Sequence, residues 1–119
     1  MIITLFATSP AKPEHAAEEQ RLTDELGPLL DTIPGFIGAQ YYTAADGEEI
    51  GVIRFVDREA LDKWMHHPLH EEAQRQGQEM YTSYWVQSAE TFREYQWNGA
   101  RRTEGDLTAL FADRRPSHL

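Results

Sequence analysis

The stretch Trp64-Met65-His66-His67-Pro68-Leu69-His70-Glu71-Glu72-Ala73-Gln74-Arg75-Gln76-Gly77 holds three of the chain's five histidines beside a tryptophan and several carboxylates and amides. Imidazole exchanges protons near neutral pH, which makes these rings the first candidates for acid–base work. His66 and His70 stand at helical i, i+4 spacing, and with Glu71 they would begin a metal site. Pro68 lies between them, however, and no second cluster supplies the missing ligands. For His66 and His67 the plain alternative is a helix-breaking turn with partly solvated rings. His70 follows Leu69 and stands one turn before Ala73, at the edge of an apolar stripe. Its ring is either a pocket group that moves a proton or a satisfied structural histidine.

Three further features bear on chemistry. The pairs Tyr41-Tyr42 and Tyr84-Trp85 fall in strand-like runs, where neighbours point to opposite faces, so each pair divides between a cavity and the other side of a sheet. Trp64 is either core or the wall of a pocket. Arg54 sits inside an apolar strand and must seek a carboxylate or an anionic ligand. With no cysteine in the chain, disulfides, thiolate metal sites and cysteine nucleophiles are excluded.

The elements that position these residues follow from periodicity. Ile2 to Ala7 is a β-branched and aromatic run that predicts a first strand. Pro13 suits a helix start, and Leu22, Leu26, Leu29, Leu30 and Ile33 form a helical stripe. Gly27-Pro28 should kink or nearly break that helix, and Pro34-Gly35 should end it. Phe36–Thr43 and Ile50–Val56 read as two strands joined through Asp46-Gly47, a hairpin signal. Asp57 can cap a helix through Ala60, Leu61, Trp64 and Met65, which Pro68 interrupts. A second short helix should run to Gly77 as its stop, and Met80 to Ser88 reads as a fourth strand that 90–98 extend.

The order β-α-β-β-α-β predicts an α+β, ferredoxin-like fold with a four-stranded antiparallel sheet. Its strands do not alternate cleanly between apolar and polar residues, which leaves large groups on both faces. A second layer must cover the outer face, most simply the same face of another subunit in a homodimer.

Twenty acids against 11 bases give a net charge of −9, which repels phosphate backbones and anionic membranes. Neither nucleic acid nor a membrane is an expected partner. No apolar run approaches the roughly 20 residues of a membrane span, and the start lacks a signal-peptide pattern, so a soluble cytoplasmic protein is expected. Residues 1–98 carry 17 acids and 7 bases, whereas residues 99–119 carry 3 acids and 4 bases. This divides the chain into a domain, 1–98, and a C-terminal arm, 99–119. Arg101-Arg102 and Arg114-Arg115 flank Leu107, Leu110 and Phe111 in the arm, with a short helix expected near Leu107–Ala112. Such an arm suits docking on the acidic body, including across a dimer.

Glu59-Ala60-Leu61, Trp64, His67-Pro68-x-His70, Ala73-Gln74-x-x-Gly77, Tyr81-x-x-Tyr84-x-Val86 and Arg93-x-Tyr95 together resemble the antibiotic biosynthesis monooxygenase (ABM) family. By element order the resemblance covers roughly residues 1–97. It implies a dimeric α+β barrel with a ligand cavity in each subunit, between sheet and helices. Members include cofactor-free oxygenases of aromatic polyketides, quinol monooxygenases and haem-degrading enzymes. In the haem-degrading members a tryptophan matching Trp64 is followed ten residues later by the iron-ligating histidine, with an asparagine on the first strand. Here Gln74 holds the histidine's place and the first strand has Ala7 and Thr8, so haem is disfavoured, with His70 as the one displaced ligand available.

The expected function is a small oxygenase without a tightly bound cofactor, acting on a planar aromatic, polyketide or quinol substrate. His70 and Trp64 would form the catalytic pair, with Tyr42, Arg54, His67, Gln74 and Tyr84 contacting substrate. The competing readings are a non-oxidative cyclase, isomerase or ligand-binding protein, and a haem-binding protein using His70.

Overall fold

In the computed structural model, residues 1–113 are described. Strand β1 (Ile2–Thr8) leads through one 3₁₀ turn to helix α1 (Ala16–Asp31). Strands β2 (Phe36–Thr43) and β3 (Glu49–Phe55) follow, then helices α2 (Arg58–Met65) and α3 (Pro68–Met80) and strand β4 (Tyr84–Glu90). The sheet order is β2-β3-β1-β4 with every neighbouring pair antiparallel, which is the ferredoxin-like α+β arrangement.

Local chemistry sets these boundaries. Asp46 Oδ1 accepts from the Glu48 amide (3.0 Å), and Gly47 takes a left-handed φ of 92° in the β2–β3 turn. Asp57 caps α2 by accepting from the Ala60 amide (2.9 Å). His67 caps α3, with Nδ1 accepting from the Leu69 amide (3.2 Å), and Pro68 opens the helix where its missing N–H costs nothing.

The core lies between the sheet and the helices. Ile2, Phe36, Ile53 and Phe55 from the sheet meet Leu30, Ile33, Ala60 and Trp64 from the helical side. Phe36 and Phe55 pack edge-on with centroids 6.0 Å apart. Each large apolar side chain buried in this way contributes about 1.5–3 kcal/mol.

Four expectations about the elements are corrected. Helix α1 runs through Pro28 without a break, because packing of Leu22 and Leu30 on the core outweighs one missing backbone donor. Gly77 does not stop α3, which continues to Met80, a buried helical residue and not the start of a strand. Of residues 90–98, which were expected to extend the fourth strand, only Glu90 belongs to β4. Strand β5 (Tyr95–Trp97) pairs instead with β6 (Arg102–Glu104) in a separate hairpin.

The turn of that hairpin is Asn98-Gly99: Asn98 Oδ1 accepts from the Ala100 and Arg101 amides, and Gly99 has φ 93°. The compositional boundary between 98 and 99 therefore falls inside a hairpin. Helix α4 (Thr108–Ala112) follows and packs on β2 of its own chain. The Arg114-Arg115 pair lies outside the described residues.

Candidate functional site

The helix-facing surface of the sheet is fixed by register. Ile2 pairs with Phe55, Thr4 with Ile53 and Phe6 with Gly51 across β1 and β3; Ala39 pairs with Ile53 and Tyr41 with Gly51 across β2 and β3. On β4, Ser88, Val86 and Tyr84 stand opposite Thr4, Phe6 and Thr8. These residues share one face because the pleat alternates with a period of two. Above Thr4, Phe6, Ile53, Tyr41, Tyr84 and Val86, helices α1 and α3 enclose a cavity of about 570 Å³. That volume lies within the range of small-molecule sites.

Helix α1 contributes Glu19, Leu22, Thr23, Leu26, Gly27 and Leu30, a strip at three- and four-residue spacing. Helix α3 contributes His70, Glu71, Ala73, Gln74, Arg75, Gly77, Gln78 and Met80, while Trp64 and Met65 close one end and Tyr81 borders the other. The lining is mostly apolar, with the polar groups concentrated on the helices.

Trp64 and His70 are the closest ring pair in this wall, with centroids 4.3 Å apart and planes inclined at 34°. Trp64 is 5% exposed, so it is both core and cavity wall. His70 Nδ1 is buried and makes no hydrogen bond of good geometry among the described residues. Burial pushes the ring's pKa below the ordinary histidine value; the Met65 carbonyl pulls the other way, as does Glu71, while His67 adds to the lowering. The neutral form of the imidazole is thereby favoured.

Two cavity phenols are held protonated. Burial raises the Tyr41 pKa, with the Asp31 carboxylate adding to the effect. Burial raises Tyr81 further, together with the Glu19 carboxylate that its hydroxyl faces. Thr4 Oγ1 and Ser88 Oγ hydrogen-bond each other (2.8 Å), which satisfies the buried threonine on the cavity floor.

Of the residues expected to act, His70, Trp64, Gln74 and Tyr84 line the cavity together. Tyr42, Arg54 and His67 are not among the residues that line it. Tyr42 lies on the opposite face of β2; the cavity takes Tyr41, itself 58% exposed at the cavity's edge, whose ring rests on Gly51 where a Cβ would come within 3.2 Å of it. Arg54 is also on the outer face: its Nη1 donates to Gln40 Oε1 (3.2 Å) and its guanidinium lies 3.6 Å from the ring centroid of Phe111 in α4. His67 is occupied as the cap of α3.

Glu19 and Tyr81 were not among the residues expected from sequence. Glu19 stands one helical turn before Leu22 on the predicted stripe, and that spacing was the available signal. Arg93 and Tyr95 lie away from the cavity, where the Tyr95 ring is flanked by Arg93 (5.3 Å) and Arg102 (4.5 Å).

The haem arrangement of the resembling enzymes does not fit these residues. Gln74 offers an amide in place of an imidazole, Ala7 points to the outer face, and His70 keeps Nδ1 enclosed with its ring against Trp64. Among the described residues no group of three or more His, Cys, Asp or Glu side chains is placed to hold a metal ion. None of their helices is long and apolar enough to cross a membrane.

The family model described as Antibiotic biosynthesis monooxygenase matches residues 1–76, from β1 into α3. The chain belongs to the antibiotic biosynthesis monooxygenase family. The match includes Trp64, His70 and Gln74, whereas Tyr84 and Tyr95 lie past its end. The chain is also 30% identical over 87 residues to the uncharacterized protein YqjZ of Bacillus subtilis, covering 72% of this chain and 76% of that one.

Among solved structures, a Deinococcus radiodurans protein assigned to the same family superposes with a TM-score of 0.70 at 16% identity, covering 83% of this chain and 100% of its own. SnoaB of Streptomyces nogalater, a cofactor-independent oxygenase, superposes with a TM-score of 0.64 at 9% identity, covering 78% and 94%. At these identities the structural likeness establishes the fold.

Proposed function

We propose that this family member is a small oxygenase that uses O₂ without a tightly bound cofactor on a planar, electron-rich aromatic, polyketide or quinol substrate. The observation that carries the reading is the Trp64–His70 pair: an imidazole packed against an indole, centroids 4.3 Å apart, in the wall of a mostly apolar cavity whose burial favours the neutral ring.

In this reading His70 takes a proton from the acidic C–H or phenolic O–H of the substrate. The carbanion or phenolate passes one electron to O₂, and the resulting radical pair joins as a peroxide. Heterolysis of the O–O bond, with the proton returned from His70, leaves one oxygen in a carbonyl product and the other in water, together with the two hydrogens lost by the substrate. The apolar lining shields the carbanion and radical pair from bulk water.

Oxygen uptake with a panel of anthrones and hydroquinones, run with ¹⁸O₂, tests this. Uptake with one labelled oxygen in an anthrone-derived product supports the reading. Tight binding of a panel member with no uptake would replace it with a non-oxidative role for the same cavity.

We also propose that the protein works as a cytoplasmic homodimer through the outer face of the sheet. Large groups remain uncovered there, Trp85 at 41% exposure among them, tethered by Nε1 to Glu48 Oε2 (3.1 Å). Size exclusion with light scattering should give twice the 13.7 kDa chain mass; a monomer at micromolar concentration would remove this part.

A further inference from the structure

The charged groups around the cavity are unequal in sign. Glu19, Glu71 and Arg75 line it. Arg75 pairs with Glu72 in its own helix and its side chain is 76% exposed, so water screens its charge. Two carboxylates, the half-buried Glu19 and the exposed Glu71, therefore border the cavity without a lysine or arginine ion-pair partner among the described residues, in a chain whose net charge is −9. A ligand carboxylate entering this space would lose water and meet like charge, both unfavourable.

The two carboxylates differ in setting. Glu71 lies beside His70 in the first turn of α3. Glu19 is half-buried on α1 at the far end of the cavity, facing the Tyr81 hydroxyl. Positions 70 and 81 are separated by about 16 Å along the direction of α3 at 1.5 Å per residue. Tyr81 is held in place from three sides: its amide donates to the Gly77 carbonyl (3.1 Å), its ring lies on Gly77, and its backbone bridges to Ala11. The far end thus carries a fixed phenol and a carboxylate, and the same cavity is lined by the apolar side chains of Leu22, Leu26 and Phe6.

A carboxylate accepts but does not donate when ionised, and its several lone pairs can serve more than one donor. We propose that Glu19, positioned with Tyr81, is a specificity residue that selects uncharged, hydroxyl-bearing aromatic ligands by accepting a hydrogen bond from a ligand hydroxyl and rejects analogues that carry a carboxylate. This rests on the cavity being the aromatic-binding site of the proposed function, and it deepens that reading by assigning the substrate's polarity.

Equilibrium binding separates the two ideas because it needs no turnover. The probes are dihydroxyanthraquinone and the same compound bearing one ring carboxylate, titrated by tryptophan fluorescence quenching and calorimetry. The unsubstituted probe should bind the wild-type protein at least tenfold more tightly. Glu19→Gln should narrow the ratio to within threefold, mainly by strengthening the carboxylate probe. Glu71→Gln should change the ratio less, and circular dichroism should show both variants folded.

Equal binding of the two probes, or a ratio unchanged in Glu19→Gln, would overturn the assignment of Glu19 and leave the oxygenase reading standing. Binding of neither probe would remove the aromatic cavity itself and this inference with it. The expected ratios without oxygen uptake would leave the selectivity in place and remove only the oxidation.

Discussion

The rings of Trp64 and His70 lie 4.3 Å apart although they belong to different helices, joined by a turn in which His67 and Pro68 end one helix and begin the next. The histidine is thereby buried against an apolar surface, which favours its neutral form, while still bordering the cavity. Replacing His70 with Ala or Gln should lower kcat for oxidation by about 10²–10⁴-fold, the usual contribution of a positioned base. Substrate affinity should change much less, which steady-state oxygen uptake would show.

The pH dependence follows from the same burial. A base works when unprotonated, so kcat should rise with pH through a His70 pKa below the ordinary 6.5 and be flat at neutral pH. A midpoint above 7 would contradict the role. Stability has the same sign: the unfolded chain binds this proton more readily, so the contribution is present above the unfolded value and fades as pH falls through the folded one. Urea melts of wild type and His70→Gln between pH 5 and 8 would reveal it as a smaller acid loss in the variant.

Trp64 should prove structural as well as functional. Its side chain is buried in the main core cluster, so Trp64→Ala should cost about 3–5 kcal/mol in denaturant melts. Trp64→Phe should recover much of that stability while leaving the ring against His70 smaller, and a lower kcat with near-normal unfolding would separate the two roles.

Gly35 should be among the least replaceable residues. Its φ of 87° is left-handed, and a Cβ there would come within 2.6 Å of Ala60 Cβ and 2.8 Å of Val56 Cγ2. Gly35→Ala should lose roughly 2–5 kcal/mol from strain and overpacking together. Thermal melts would show the loss; a change under 1 kcal/mol would mean that the β2 start and α2 shift apart easily.

The outer face predicts a contrast with the cavity. Phe111→Ala removes the ring beneath Arg54, a contact worth about 0.5–2 kcal/mol. It should loosen α4, visible as faster amide exchange at residues 108–112, while anthraquinone affinity stays within twofold.

Much of the fold was legible because its signals are local. The strand runs, the Asp57 cap, the Pro68 interruption and the Asp46-Gly47 turn each depend on a few adjacent residues, and their order alone implies a ferredoxin-like sheet. Trp64 and His70 stand in one short stretch of sequence, but it is the turn at His67-Pro68 between two helices that brings their rings together. The Asn98-Gly99 turn was equally local, and the charge contrast across it obscured the hairpin.

What the chain order could not decide was which side of each strand faces the helices. That is a matter of register between segments distant in sequence. Pairing of Tyr41 with Gly51 sends Tyr41 into the cavity and therefore Tyr42 and Arg54 to the other face, where Phe111 from the far end of the chain meets the guanidinium. Likewise Glu19 and Tyr81 become one polar end only because α1 and α3 pack side by side. The sequence by itself determined the elements and the types of chemistry available; packing of distant segments decided which of those side chains share a space.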